Sequence, residues 1–281
     1  MRMIFLAVAL ASSGAAEAAT PACTPMEMRR GRPFVEIVLN GAKLRALVDT
    51  GAEMTLIDAA YARAAGLEKG VAATVKGSGG TETAHALPEV RLVVAGRAIP
   101  GVTPFAIDLS DVAKRLFKEK VDVVLGREIY DAERVLLDYP GGRLCLVGRD
   151  AEPKGKKLAL QTAHGLETIP IDIEGKPVRA DIDSGNSGAL LLGGAFVDGA
   201  GFLTDGRKLG ENRGGGIGGA IARKRFITKS VTIAGETFKG APAVIDPQPN
   251  AASANVGSGL LKYFRVTLDY RDAAAWFERA E

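Results

Sequence analysis

The chain is poor in the residues that several classes of function need. Aromatic side chains make up 6% of its 281 residues, the formal net charge is +3, and there are two histidines and two cysteines. So few aromatics and so mild a charge disfavour a surface that stacks bases or binds phosphate backbones. His85 and His164 lack the spacing of metal ligands. The sequence therefore predicts no nucleic-acid partner, no metal site, no cofactor and no Ser-His-Asp triad.

Long apolar runs are also missing after the N-terminus, where none reaches the length of a membrane-crossing helix. Residues 1–19 begin with Arg2, continue with an apolar run over residues 3–11, and contain the small-x-small pattern Ala16-Glu17-Ala18. This arrangement predicts a secretory signal peptide, with a disordered alanine-rich tail as the alternative. We therefore expect an exported protein, periplasmic or secreted, with no stable insertion in a membrane.

The two cysteines are Cys23 and Cys145, both beyond the expected signal peptide. An exported protein meets oxidising conditions, under which a disulfide persists. Because sequence spacing does not fix the distance between two side chains, the sequence leaves open whether these two pair.

Two acidic triplets stand where buried strands are expected. Asp49-Thr50-Gly51 follows the apolar run Ala46-Leu47-Val48, and Asp183-Ser184-Gly185 follows Ala180-Asp181-Ile182. Burying a carboxylate is costly unless a partner compensates it, so an acid at the end of an apolar strand suggests chemistry. One such triplet is a weak signal, because short patterns of common residues recur by chance. Two in matching contexts indicate a duplicated fold that brings two carboxylates together.

The likeness between the two halves extends beyond the triplets. Companion residues recur in order at separations of 131 to 139 residues, from Gly41 and Gly175 to Tyr139 and Tyr270. Two glycine-rich clusters follow the same pattern: Gly77, Ser78, Gly79 and Gly80, then Gly215, Gly216, Ile217 and Gly218. Short apolar runs between glycine turns are typical of strands. We therefore predict an all-β protein with two homologous lobes, residues 20–150 and 151–281, related by a pseudo-twofold axis.

At this point the sequence resembles the aspartic proteases. The segment Leu47–Ala52 is similar to the retroviral (retropepsin) subunit, and the two-lobed single chain is similar to pepsin and to the bacterial pepsin/retropepsin-like group. The family's apolar-apolar-glycine signature is matched by Val124-Leu125-Gly126. The second copy, Asn255-Val256-Gly257, has Asn where an apolar residue is usual. The resemblance covers residues 34–277.

The resemblance implies β-barrel lobes and a catalytic pair, Asp49 and Asp183, that shares one proton, as pairs of this family do. The ionised acid would act as general base toward a bound water, and the protonated acid would polarise the scissile carbonyl of a polypeptide substrate. Both acids come from one chain, so a monomer suffices. The residues implied to support the pair are Thr50, Gly51, Ala52, Ser184, Gly185 and Asn186. The glycine clusters would be flaps over an extended peptide, although plain loops remain the alternative.

The pair should also be asymmetric. Ala52 offers no hydrogen-bond donor to the first acid, whereas the amide of Asn186 could donate to the second. A donor favours the ionised carboxylate. We therefore expect Asp49 to hold the shared proton more often than Asp183, and an active window at mildly acidic to near-neutral pH.

Other interpretations were weighed against catalysis. An exported peptide-binding module on the same fold, without catalytic activity, is the main alternative. An exported structural protein would have no reason to bury two acids. Residues 214–219 also fit a dinucleotide-binding spacing, but a strand-like segment follows them instead of a helix. The basic trio Arg223-Lys224-Arg225 is expected on a solvated hairpin face, both histidines at the surface, and Asp181 as a structural acid at a loop edge.

Overall fold

The computed structural model describes residues 21–150 and 152–280, and these residues form an all-β fold in two lobes, as the sequence predicts. The expected signal peptide, residues 1–19, lies outside the described residues. Within the described residues, no helix is both long enough and apolar enough to cross a membrane.

The first lobe, called the N-lobe below, contains twelve strands and three short helices. Its strands are β1 (Ala22–Arg29), β2 (Arg32–Leu39), β3 (Ala42–Val48), β4 (Leu56–Asp58), β5 (Ala72–Gly77), β6 (Gly80–Ala86), β7 (Leu92–Val94), β8 (Arg97–Ile99), β9 (Phe105–Ile107), β10 (Val123–Leu125), β11 (Arg134–Asp138) and β12 (Arg143–Val147). Its helices are α1 (Ala59–Ala64), α2 (Ser110–Val112), which continues as a π-helical turn over Ala113–Phe117, and α3 (Glu128–Ala132).

The second lobe, the C-lobe, repeats the order with thirteen strands and two helices. Its strands are β13 (Lys156–Ala159), β14 (Gln161–Ala163), β15 (Leu166–Ile173), β16 (Lys176–Asp183), β17 (Leu190–Gly193), β18 (Gly210–Gly214), β19 (Ile221–Ile227), β20 (Ser230–Ile233), β21 (Glu236–Lys239), β22 (Pro242–Asp246), β23 (Ala254–Gly257), β24 (Phe264–Asp269) and β25 (Ala274–Arg279). Its helices are α4 (Gly194–Ala200) and α5 (Ser258–Leu261).

Local sequence signals explain several element boundaries. Asn40 and Gly41 both have positive φ, 49° and 88°, which is the backbone of a two-residue hairpin turn between β2 and β3. Asp58 begins α1, because its Oδ1 accepts hydrogen bonds from the backbone N–H groups of Ala60 at 3.0 Å and Tyr61 at 3.1 Å. Strand β1 is fully paired, first with β12 and then with β2.

A six-stranded antiparallel sheet joins the lobes, in the order β13-β25-β24-β11-β12-β1. Its centre is the β11–β24 pair, where Leu136 faces Thr267, and the strand order is symmetric about it. Cys23 and Cys145 face each other across β1 and β12 and form a disulfide, so the open question about this pair is resolved. Residues 152–155 run directly into β13 of this sheet.

Each lobe places its acid at the end of a strand held by a parallel neighbour. Strand β3 pairs in parallel with β10 and ends just before Asp49, and β16 pairs in parallel with β23 and ends at Asp183. The main apolar core runs through both lobes. A second apolar core belongs to the N-lobe, where Phe117 packs edge-on against Phe34 with ring centroids 5.5 Å apart.

Candidate active site

The two acids of the triplets meet between the lobes. The carboxyl groups of Asp49 and Asp183 lie close enough that each affects the pKa of the other. The backbone N–H of Gly51 donates to Asp49 Oδ1 at 2.9 Å, and that of Asn186 donates to Asp183 Oδ1 at 2.9 Å. Each acid is therefore held by the turn that follows it, and the two turns face each other.

A reciprocal set of hydrogen bonds fixes these two turns. The backbone N–H of Thr50 donates to Ser184 Oγ at 3.0 Å, and the backbone N–H of Ser184 donates to Thr50 Oγ1 at 2.9 Å. Each hydroxyl then donates across the interface, Thr50 to the carbonyl of Ile182 and Ser184 to the carbonyl of Val48, both at 2.7 Å. All four bonds cross between the lobes. The lobes therefore cannot shift at this point without breaking four buried hydrogen bonds at once.

The glycines of the triplets permit the close approach of the acids. A Cβ at Gly51 would lie 2.8 Å from Asp183 Cγ, and one at Gly185 would lie 2.4 Å from Asp49 Cγ. The glycines of the apolar-apolar-glycine signatures are equally constrained. A Cβ at Gly126 would lie 2.2 Å from the carbonyl carbon of Met54, and one at Gly257 would lie 2.3 Å from the carbonyl oxygen of Gly188. A side chain at Gly51 or Gly185 would displace the opposite carboxyl group, and one at Gly126 or Gly257 would require the backbone to move.

The two acids have different surroundings. Desolvation raises the pKa of Asp49 to about 8, and the neighbouring charge of Asp183 adds to this rise. Desolvation also raises the pKa of Asp183, but hydrogen bonds from the Asn255 side chain and the Asn186 backbone oppose it. Side-chain donation thus favours the ionised form of Asp183 and not that of Asp49, which is the asymmetry expected from Ala52 and Asn186. The donor is different, because the side chain that reaches Asp183 belongs to Asn255.

A buried arginine lies beside the pair. Arg32 is 9% exposed, and its Nε donates to the carbonyl of Gly185 at 2.6 Å. Its guanidinium also lies over the ring of Phe117, 5.0 Å from the centroid. Desolvation lowers the pKa of Arg32, while the charges of Asp183 and Asp49 raise it. Arg32 thus supplies a positive charge near an acid pair that carries one negative charge when one proton is shared.

The two glycine-rich clusters form the tips of two hairpins, β5–β6 and β18–β19, and the tips touch. The backbone N–H of Gly79 donates to the carbonyl of Ile217 at 2.9 Å. Arg115 of the N-lobe donates to the carbonyls of Gly215 and Gly216 at 2.7 and 2.8 Å. The C-lobe tip is therefore held by a side chain of the N-lobe.

The reverse contacts come from the C-lobe. Arg223 Nη2 donates to the carbonyl of Ser78 at 2.8 Å, and Gln248 donates to the same carbonyl at 3.2 Å. Arg223 is 7% exposed and is paired with Asp246 at 3.0 Å. The expectation that the whole basic trio is solvated is therefore wrong for Arg223, because its position on β19 faces inward while Lys224 and Arg225 are exposed.

Asp181 departs from the expectation of a loop edge, whereas His164 is exposed, as expected. Asp181 is buried within β16, and its Oδ1 lies 3.0 Å from His164 Nε2. Desolvation raises the pKa of Asp181 to about 6, and His164 opposes this rise. Asp181 is therefore a buried acid inside a strand, and His164, although half-exposed, is its partner. Among the described residues, no group of three or more His, Cys, Asp or Glu side chains is placed to hold a metal ion.

Comparison with known families gave one match, which covers part of the first lobe. Residues 35–129 match the family model described as aspartyl protease. The match includes the first triplet, the first glycine cluster and Gly126 of the first signature. A comparison with curated proteins gave no match. The second lobe lies outside this match, but it repeats the strand pairing of the first lobe, since β16 pairs with β23 as β3 pairs with β10.

Sequence reasoning missed three features of the site. Asn255 was noted only as a departure from an apolar signature, although a polar residue in a buried strand signals a partner. Arg32 stands at the start of a strand, where nothing in the sequence indicates burial. Arg115 and Arg223 act on hairpin tips that are distant in sequence, so no local pattern could reveal them.

Proposed function

We propose that the protein is an aspartic endopeptidase that hydrolyses peptide bonds of extended polypeptides. One observation carries the proposal: reciprocal hydrogen bonds of Thr50 and Ser184 hold two turns so that the buried carboxyl groups of Asp49 and Asp183 lie beside each other. A fold that needed only stability would gain nothing from two adjacent desolvated acids, because each raises the cost of ionising the other.

The geometry supports a mechanism in which a water bound by the two carboxyl groups attacks the scissile carbonyl carbon. The ionised acid takes a proton from this water, and the protonated acid donates its proton to the carbonyl oxygen, which gives a tetrahedral diol. The acid that accepted the water proton then passes that proton to the leaving nitrogen as the C–N bond breaks. The other acid recovers a proton from a diol hydroxyl, so the pair returns to its starting state.

The two hairpins would act as flaps. Their tips meet through Gly79 and Ile217, and Arg115 and Arg223 fasten each tip to the opposite lobe. An extended peptide has to enter beneath these tips, so the contacts must open and close again around the bound chain. Glycine at the tips lets the backbone approach a peptide of any sequence, which suits an endopeptidase of polypeptides.

The proposal includes a single chain as the active unit, exported to the periplasm or the medium. Both acids come in cis, so dilution should not reduce specific activity. The test is to incubate the purified chain, lacking residues 1–19, with a denatured protein mixture and to identify new peptide ends. Cleavage should stop with pepstatin or another statine-type inhibitor, and with Asp183→Asn. Absence of cleavage between pH 3 and 8 would contradict the proposal.

The second candidate is a peptide-binding module without catalysis, favoured by the closed and fastened hairpin tips. The same experiment separates the two functions. A binding module would retain peptides from the mixture, measured by co-elution, and would leave them intact. An endopeptidase would release fragments, and its Asp183→Asn variant would retain peptides without cutting them.

A further inference from the structure

A side-chain amide contacts one acid of the pair, and the other acid has no counterpart. Asn255 lies on β23 and faces Asp181, two residues before Asp183. The matching N-lobe position on β10 is Val124, which faces Leu47, two residues before Asp49. The same place in the two lobes therefore holds an amide on one side and an aliphatic side chain on the other.

The orientation of this amide is fixed by a second amide. Asn186 Nδ2 donates to Asn255 Oδ1 at 2.9 Å, and Asn255 Nδ2 donates to Asp183 Oδ2 at 2.7 Å. Asn186 Oδ1 in turn accepts the backbone N–H of Gly188 at 2.8 Å. The side-chain oxygens of Asn186 and Asn255 each already accept a hydrogen bond from an N–H group. The group that Asn255 turns toward the acid is therefore its N–H donor.

We propose that Asn255, oriented by Asn186, is the positioning residue that keeps Asp183 as the ionised member of the pair. The inference rests on the proposed function, and it assigns the two chemical roles. Asp183 takes the proton of the attacking water, and Asp49 donates its proton to the carbonyl oxygen. Asp183 then passes the water proton to the leaving nitrogen.

The physical reason is that an N–H donor stabilises a carboxylate and gives nothing to the hydroxyl face of a protonated acid. Asp183 has two such donors, Asn255 Nδ2 and the backbone of Asn186, whereas Asp49 has the backbone N–H of Gly51. Asn255 is 8% exposed, so its hydrogen bond is shielded from water and is stronger than a surface one.

Other charged or titratable groups near the pair do not reverse this preference. Arg32 attracts both acids, and its interaction with Asp183 is the larger, so it does not oppose the ionisation of Asp183. Asp181 lies on the same strand as Asp183 and repels its charge, and its partner His164 offsets that repulsion when protonated. Tyr139 is buried behind the pair, and the nearby acids keep it neutral by raising its pKa further.

The first experiment replaces Asn255 with the residue of the matching position. In Asn255→Val, the acidic limb of the kcat/KM profile should move upward by about one pH unit, because the ionised form of Asp183 loses a charge-assisted hydrogen bond. Below that limb kcat/KM should fall about tenfold, and at the plateau it should fall less. Asn186→Ala should produce a smaller shift in the same direction, since it frees the Asn255 amide to rotate. Asn250→Val, on an exposed loop, is the matched control and should leave the profile unmoved.

A merely structural role for Asn255 would lower the rate equally at all pH values, and that result would overturn the proposal. The second experiment needs neither activity nor a variant at position 255. The native chain is labelled with 13C at aspartate carboxyl carbons, and its resonances are assigned with Asp49→Asn and Asp183→Asn. Asp183 should ionise first as pH rises, and earlier ionisation of Asp49 would contradict the inference. If Asp183 ionises first but the chain cuts no peptide, the proposed function and the two catalytic roles are rejected, and only the preferred ionisation of Asp183 is retained.

Discussion

The two lobes share their strand pairing but differ in the chemistry of one face. Strand register places six N-lobe residues and six C-lobe residues at matching positions. The N-lobe set is Phe34, Leu47, Leu56, Ala84, Ile107 and Val124, and the matching C-lobe set is Thr168, Asp181, Leu191, Arg223, Asp246 and Asn255. The N-lobe face is apolar throughout, and five of the six C-lobe residues are polar or charged.

The connection between two strands explains this difference. In the N-lobe, residues 108–122 join β9 to β10 and include the helical turns that bury Phe117 on the apolar face. In the C-lobe, β22 and β23 are joined by residues 247–253 alone, which contain no helix. Without that apolar cover, the face forms ion pairs instead, Arg223 with Asp246 and His164 with Asp181. Strands with matching pairing can therefore carry divergent faces when their connections differ.

The largest expected effect tests whether the acid of each lobe is equally necessary for the proposed activity. Under the proposed function the two acids act as one unit, so Asp49→Asn and Asp183→Asn should each lower kcat by at least about a thousandfold. The measurement is kcat on a fluorogenic peptide, with circular dichroism to confirm the fold. Substantial activity in either variant would show that one lobe supplies the chemistry alone.

The next effect concerns the charged face of the C-lobe. Asp246→Ala should lower the free energy of unfolding by about 3–5 kcal/mol, because it leaves the buried Arg223 without its carboxylate. The double variant Arg223→Ala/Asp246→Ile copies the N-lobe residues Ala84 and Ile107, and it should recover most of that loss. Denaturant unfolding measures both. If the double variant is no more stable than the single one, the ion pair does not simply replace apolar packing.

The interlobe sheet offers a third comparison. Where the N-lobe has the Cys23–Cys145 disulfide, the matching C-lobe positions hold Lys157 and Trp276, with Lys157 Nζ 5.0 Å from the ring centroid. Cys145→Ser should destabilise the chain by about 2–5 kcal/mol, because the bond closes a long loop in the unfolded chain.

Lys157→Met removes the cation from Trp276 and should cost at most about 1 kcal/mol, since the lysine is exposed. Both variants are compared by thermal unfolding under oxidising conditions. Equal effects on stability would show that the two ends of the sheet are held with similar strength.

The smallest effect concerns position 52. Ala52→Thr places a hydroxyl donor near Asp49 and should lower its raised pKa. Activity needs one proton on the pair and is lost as pH rises through the higher pKa, so the alkaline limb of the kcat profile should move down by about half a pH unit. Ala52→Val is the matched control without a donor. A profile that is identical in both variants would show that the hydroxyl does not reach the acid.

Much of the fold and the pair of acids could be predicted from the sequence, because duplicated local patterns report duplicated structure. The hairpin at Asn40-Gly41 and the helix cap at Asp58 depend on neighbouring residues, so they are visible in sequence. Burial of Arg32 and Arg223 depends on what packs over them from distant segments. The same limit explains Asn255: its unusual character was visible, but its contact with Asp183 depends on how two strands align.

The six-stranded sheet between the lobes has a consequence for either half taken alone. Cutting the chain between β12 and β13 and separating the halves would leave β11 as an open edge on one piece and β24 as an open edge on the other. An open strand edge recruits another strand, including one from a second copy of itself. Two copies of the first half could pair β11 with β11 in an antiparallel manner, around the same axis that now relates β11 to β24. The fused chain thus protects by covalent linkage an edge that separate subunits would have to protect by association.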